Sequence, residues 1–410
     1  MSPEIKGLLV VSALKLVIVF TITLVGVALL TLMERKVSAW MQYRHGPNRV
    51  GFAGLLQPAA DGLKNIIKEE TFPAEANRVL FMLAPTIAFM PALILGSVIH
   101  WAAPLPVKFD FSLPILGRFH YDALMPMAVA DLPVGFLFVL AVSSMGVFGI
   151  ALAGWSSNSK YSLLGGLRAS AQMISYEVAM GLALVPVLML SGNVALGDII
   201  KAQQQGLWYI LPLFIAFFVF LLSGFAETNR LPFDMPEAES ELIAGYHTEY
   251  SAMKFSMFFI AEYANMVTVA AMVTTLFFGG WDIPFTHWDE TPGVAQSLVT
   301  GLVMFLKVFW WLFFFMWIRW TLPRFRYDQL MALGWKVLMP IALAYIMVVG
   351  VAIYLIENVA GVTSPRVMMG VLCLLNLGLG YLVFIVLDRG ALIGGPRSRK
   401  PAGHDLPRAA

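Results

Sequence analysis

Long apolar runs closed by short polar or basic stretches set the rhythm of the chain. A helix needs about 20 such residues to cross a hydrocarbon layer about 30 Å thick. The pattern predicts helical spans at about 9–33, 79–102, 126–152, 169–191, 207–226, 255–279, 294–319, 333–358 and 367–387. Between the first two, Leu55, Leu56, Ala59, Ala60, Leu63, Ile66 and Ile67 recur at helical spacing. They predict an amphipathic interfacial helix, which either rests on the membrane or offers its apolar face to a lipid-soluble ligand. The N-terminus shows no short apolar segment ending in a small-residue cleavage site, so the first span is expected to be a retained helix and not a removed signal. The expected fold class is therefore all-α, a polytopic membrane protein of about nine transmembrane helices.

Composition agrees, with 59% hydrophobic and 13% charged residues among 410. Charge placement adds an orientation. Twenty of the 27 Lys and Arg residues fall in the alternate loops 34–78, 153–168, 227–254, 319–336 and 388–410. Lys6, Lys108, Arg118, Lys201 and Arg366 lie on the opposite side, and Lys15 and Lys307 lie inside spans. Short basic loops stay cytoplasmic, which places the N-terminus outside and the "RSRKP" tail in the cytoplasm.

The chain is poor in redox ligands. One cysteine, Cys373, falls short of the four or so ligands of an iron–sulfur cluster and cannot form an internal disulfide. Six histidines, at 45, 100, 120, 247, 287 and 404, offer no facing mid-span pair for haem. "LLGGL" lacks the strand and helix context of a nucleotide fold. No metal site or cofactor is expected on this chain, so any redox centre or nucleotide belongs to a partner.

The acid is concentrated. "ETNRLPFDMPEAESELIAGYHTEY", residues 227–250, carries Glu227, Asp234, Glu237, Glu239, Glu241 and Glu249. Pro232 and Pro236 predict a helix starting near Asp234, since proline suits a first turn and not an interior. From there Asp234, Glu237, Glu241 and Glu249 would share one face, with Glu239 pointing elsewhere. Asp234 and Glu237 are equally well explained as helix caps. Glu177 and Glu262 lie within predicted spans, where a lipid-facing carboxylate costs about 3 kcal/mol, so both must face protein or water. Clustered carboxylates in a low dielectric exchange protons near neutrality, and a proton or cation path follows as the expectation. Lys307 suits either a transport path or a pair with a nearby acid. In "IRWTLPRFRYDQLMALGWK", Arg319, Arg324 and Arg326 either anchor a soluble partner or mark the headgroup level.

Six segments then carry a specific resemblance: "ERK...QYRHGPNRVG", "LLQPAADGLK", "GWSSNSKYSLLGGLRASAQMISYEV", "AETNRLPFDMPEAESELIAGYHTEY", "AEYANM" and "PRFRYDQLMALGWK". In this order they are similar to the quinone-site membrane subunit of respiratory complex I (NADH:quinone oxidoreductase). The resemblance covers about residues 20–345 and implies a core at 1–365, with 366–410 adding a further span and a basic tail. It implies a subunit of a proton-pumping enzyme, part of which resembles half of an antiporter-like subunit. Glu34, Arg35, Arg44, Asp61, Lys64, Arg324 and Arg326 would then frame a quinone chamber and its entrance. Glu177, Glu227, Asp234, Glu237, Glu239, Glu241, Glu249 and Glu262 would form the proton path. The substrate would be ubiquinone or menaquinone. Iron–sulfur clusters, FMN and NADH would sit on partner subunits: the soluble quinone-site subunits, including the terminal iron–sulfur subunit, and beyond them other membrane-arm subunits. The expected setting is a bacterial inner membrane with its lipid, and no nucleic acid. A self-contained cation/proton antiporter and the membrane subunit of a hydrogenase-type complex remain as alternatives.

Overall fold

Eight helices of the computed structural model are long and apolar enough to cross a membrane. The structure describes residues 3–113, 117–235, 243–284, 286–289, 291–361 and 364–388. In chain order these hold α1 (Pro3–Met41), α2 (Gln57–Ile67), α3 (Arg78–Leu95), β1 (Leu105–Leu113), β2 (Gly117–Met125), α4 (Gly135–Ser156), α5 (Lys160–Ser191), α6 (Leu196–Gln205) and α7 (Phe214–Glu227). There follow α8 (Ala252–Phe277), α9 (Val294–Thr321), α10 (Tyr327–Val359, with two π-helical turns) and α11 (Pro365–Asp388).

The long helices α1, α3, α4, α5, α8, α9, α10 and α11 match eight of the nine expected spans. The ninth departs. Residues 207–226 hold a turn followed by α7, which has 14 residues and is about 21 Å long, short of the hydrocarbon thickness. Backbone that is not helical cannot face lipid, because its polar groups would be unpaired. Side chains pair them here. Gln203, 1% exposed, accepts from the amides of Tyr209 (3.2 Å) and Gly279 (3.0 Å) and donates to the Thr275 carbonyl (2.9 Å). Asn376 on α11 donates to the Pro212 carbonyl and accepts from the Tyr345 hydroxyl.

An antiparallel hairpin joins α3 to α4, a feature the apolar runs did not predict. β1 pairs with β2 from Leu105↔Met125 to Leu113↔Gly117, and β2 packs against the start of α1. Gly7 makes that approach possible: a Cβ there would lie 2.2 Å from the His120 carbonyl oxygen. The fold is otherwise all-α.

The core runs along α5, which packs between α4 and α7, while α3 lies against α4 and α8. Tyr176, Leu184, Phe225, Phe277 and Phe315 are fully buried in it. The predicted interfacial helix is present as α2. It has no buried residue, and Leu63, Ile66 and Ile67 are all exposed. Its apolar face thus has no cover among the described residues.

Candidate functional site

Four charges meet inside the bundle where α1, α8 and α9 approach the turn after α7. Glu34 of α1, 6% exposed, accepts from Arg319 at the end of α9 and from the Tyr263 hydroxyl at 2.6 Å. Arg230, 4% exposed, has Nη1 3.6 Å from Glu34 and Nε 2.7 Å from Glu262. Its guanidinium lies 4.2 Å from the centre of the Tyr263 ring. Removing charge from water is costly unless partners share it, and here two carboxylates are matched to two guanidinium groups. Burial by itself would lower the Arg230 pKa, but Glu262, Tyr263 and Glu34 outweigh it and raise the value, so Arg230 is a fixed cation.

Glu227 sits one turn away at the end of α7. Gln172, fully buried on α5, holds the turn that positions it, with Nε2 2.7 Å from the carbonyls of both Ala226 and Phe233. Glu227 is 9% exposed, and its Oε2 has no hydrogen-bond partner among the described residues. Two small cavities meet at it. One, about 30 Å³, is also lined by Asn229, Glu262 and Asn265; the other, about 20 Å³, by Ser143, Asn265 and Thr268. Each has room for roughly one or two waters. Glu177 on α5 is half-buried and near enough to Glu227 for the two carboxylates to repel. Beside it α10 makes a π-helical turn at Leu333–Leu338, docked through Trp335 Nε1 on Ser175 Oγ (3.1 Å) and the Tyr176 hydroxyl on the Leu330 carbonyl (2.9 Å).

The structure therefore brings Glu227 and Glu262 to one cavity and places Glu177 near it. Asp234, 5% exposed, lies elsewhere, paired with Arg324 at 3.0 Å. Glu237, Glu239 and Glu241 lie outside the described residues. The single helix expected from Asp234 to Glu249 does not continue that far. Ile243 (φ 67°) and Gly245 (φ 58°) are left-handed, and a 3-10 turn at Gly245–His247 precedes Glu249, so Glu249 cannot share a helical face with Asp234. The reason is a close contact: a Cβ on Gly165 of α5 would fall 2.6 Å from the Gly245 Cα, which pins that turn against α5.

Among the residues expected to frame an entrance, Arg35 pairs with Asp61 at 2.6 Å, and Gln57 donates to the same carboxylate at 3.1 Å. Arg44 donates to Gln42, Lys64 is exposed, and Arg326 pairs with Asp328. Glu34, expected with them, is part of the buried cluster, and through Arg319 it ties α1 to the end of α9. Sequence reasoning missed Arg230 as a participant, while Gln172, Tyr263 and Asn265 stood out only as hydrogen-bonding neighbours of Glu177 and Glu262. Arg230 stands within the acidic stretch itself, and a lone cation among buried acids was the available signal. Among the described residues, no group of three or more His, Cys, Asp or Glu is placed to hold a metal ion.

The family profile described as NADH dehydrogenase matches residues 14–350. The chain belongs to this family. Its relatives include the H subunits of bacterial NADH-quinone oxidoreductases. The one from Koribacter versatilis is 52% identical over 345 residues, covering 83% of this chain and 96% of that one. The one from Geobacter metallireducens is 49% identical over 360 residues, covering 87% of this chain and 100% of that one. The one from Magnetococcus marinus is 48% identical over 350 residues, 85% of this chain and 93% of its own length. The stretch matched by the NADH dehydrogenase family contains both cavities and every residue of the buried charge cluster, and α11 lies beyond it.

Proposed function

We propose that this chain is the quinone-site membrane subunit of a proton-translocating NADH-quinone oxidoreductase, linking quinone reduction to proton movement through its buried carboxylates. The carrying observation is that Glu34, Arg230, Glu262 and Glu227 form one continuous buried constellation with water-sized space on both sides of Glu227. Charge that develops on a quinone near the basic loops is felt first by Glu34 and Arg319. Arg230 touches Glu34 and Glu262 together, so a displacement of one carboxylate changes the pairing of the other. Glu227, with one carboxylate oxygen short of a partner, is the group able to take up or give a proton to cavity water.

In this scheme α2 and the Arg324–Arg326 loop frame the entrance by which quinone, ubiquinone or menaquinone, arrives from lipid. Arg35 with Asp61, Arg44, Lys64, Arg324 and Arg326 stand at its rim. Soluble partners carrying the terminal iron–sulfur cluster dock on the same basic face, and FMN and the NADH site lie farther out in the assembly. The N-terminus faces outward and the tail the cytoplasm of a bacterial cell. Residues 1–365 form the working core, and α11 with the tail is an addition to it. No observation favours a lone antiporter, since the ammonium of Lys307 already donates to three backbone carbonyls.

Glu227→Gln and Glu177→Gln in the purified complex, reconstituted in vesicles with a pH-sensitive dye, test this. Assembly is expected to be retained while quinone reduction and proton uptake fall together, about tenfold or more for Glu227, because an amide carries no proton. Normal turnover and pumping in both variants would reduce the acids to a structural role.

A further inference from the structure

Asn265 lies one helical turn beyond Glu262 on α8, on the same face, and lines both cavities. Among the described residues, Glu227 is the only other one lining both. The Asn265 amide oxygen is buried without a hydrogen-bond partner among the described residues, as is Glu227 Oε2. Around them Thr268 already donates to the Ala264 carbonyl at 3.1 Å, and the Ser143 hydroxyl is shared between the Leu140 carbonyl, at 3.0 Å, and the Glu227 carboxylate. The junction therefore leaves two acceptors, Glu227 Oε2 and the Asn265 amide oxygen, without a donor among the described residues, and calls for an occupant with protons to donate. Water fits in size and chemistry, since a polar cavity of this volume holds one or two molecules and a buried acceptor left empty is costly.

We propose that Asn265 is a positioning residue for proton transfer, its amide oxygen fixing the water that joins the Glu262 side of Glu227 to the Ser143–Thr268 side. The inference rests on the proton-path function of Glu227 and adds a neutral residue to it. The amide itself exchanges no proton in the cycle. It holds a water oriented so that a proton can leave Glu227 in one direction and return from the other.

Two substitutions separate this role from packing. Asn265→Leu keeps the branched shape and the number of side-chain heavy atoms, at a somewhat larger volume, and removes the polar atoms, whereas Asn265→Ala loses packing and opens the space to a further water. In purified complex reconstituted in vesicles, Asn265→Leu is expected to slow NADH-driven quinone reduction and proton uptake about tenfold or more per assembled complex. Electron transfer from NADH to a soluble artificial acceptor should be unchanged. Asn265→Ala is expected to stay within about threefold of the unsubstituted enzyme, since a second water can take the place of the amide oxygen. Asn265→Val replaces the leucine variant if that one assembles poorly. Normal rates in the leucine variant, or an alanine variant slower than the leucine one, would overturn the proposal. Glu227→Gln is measured alongside. If it stalls while Asn265→Leu runs normally, the Asn265 inference alone fails; if both run normally, the proton path fails with it.

Discussion

Two cations sit inside the same helix bundle and are held in opposite ways. Lys307 on α9 donates to the carbonyls of Phe278 (2.8 Å), Gly280 (2.9 Å) and Asp282 (2.7 Å), and its ammonium lies 4.2 Å from the centre of the Trp208 ring. All three of its donors are taken, by backbone. Arg230 is held by side chains, the carboxylates of Glu34 and Glu262 and the ring of Tyr263, each of which also has business elsewhere in the cluster. One partner of each, Glu262 on α8 and Phe278 at its C-terminal cap, lie 16 residues apart, roughly 24 Å along the axis. A cation saturated by main chain fixes a turn. A cation shared between ionisable groups can redistribute, and the nearby unpartnered Glu227 oxygen gives the redistribution somewhere to go. Intramembrane charge is thus not a uniform sign of transport, and its partners decide what it does.

The sharpest way to break this contrast is Arg230→Leu, which takes the guanidinium away from Glu262 and one of two guanidinium partners away from Glu34. A loss of about 3–5 kcal/mol is expected, seen as near absence of assembled complex in membranes. Arg230→Lys keeps the charge but gives up the two-sided reach of the guanidinium, so the complex should assemble while quinone-coupled turnover drops. Lys307→Met should behave in the reverse way. Leaving three carbonyls short of a donor costs about 2–3 kcal/mol, read as lower yield and thermal midpoint, with activity per assembled complex retained. Equal effects of Arg230→Lys and Lys307→Met on activity per complex would erase the distinction.

How much of this the sequence disclosed depends on the range of the interaction concerned. Helices long enough to span, and the amphipathic α2, follow from local periodicity and were legible. The 105–125 hairpin was legible in principle, since "PVKFDF" and "RFHYDA" alternate with period two, but the flanking apolar runs overshadowed that signal. The break before α7 was not, because it is held by Asn376, 164 residues away on Pro212, and by Gln203, which ties it to Thr275 and Gly279 more than seventy residues on. The same holds at the site. Glu177, Glu227 and Glu262 declared themselves by being acids in apolar surroundings. The association of Glu34 with Arg230 and Arg319 spans about two hundred residues and more, and no spacing rule reports it. Asn265, uncharged, was marked only by its nearness to Glu262 until the cavities were seen.

Smaller effects sharpen the structural side of the comparison. Asn376→Leu leaves the Pro212 carbonyl and the Tyr345 hydroxyl without their partner. It should cost about 1–2 kcal/mol in thermal stability without changing the rate per complex. His100, 7% exposed and 3.3 Å from Asp131, is pushed below its ordinary value of 6.5 by burial, which outweighs the carboxylate. The unfolded chain then takes the proton first as the pH falls. The stabilisation is complete above 6.5 and is lost as the pH falls below it. A thermal midpoint that falls between about pH 7 and pH 5.5, and falls less in His100→Asn, is the expected result.

The unwound entry to α7 has a consequence for how the protein is made. The donor that satisfies its Pro212 carbonyl emerges late: Asn376 follows Pro212 by 164 residues. While the ribosome is still upstream of α11, the Pro212 carbonyl has no partner from that helix, and α7 alone is too short to reach both interfaces. Insertion of this segment should therefore be completed only after α11 has emerged, with α6 and α7 held at the surface or by the insertion machinery until that helix arrives. Nascent chains arrested before α9 should leave α7 accessible to a water-soluble labelling reagent, and chains released after α11 should not.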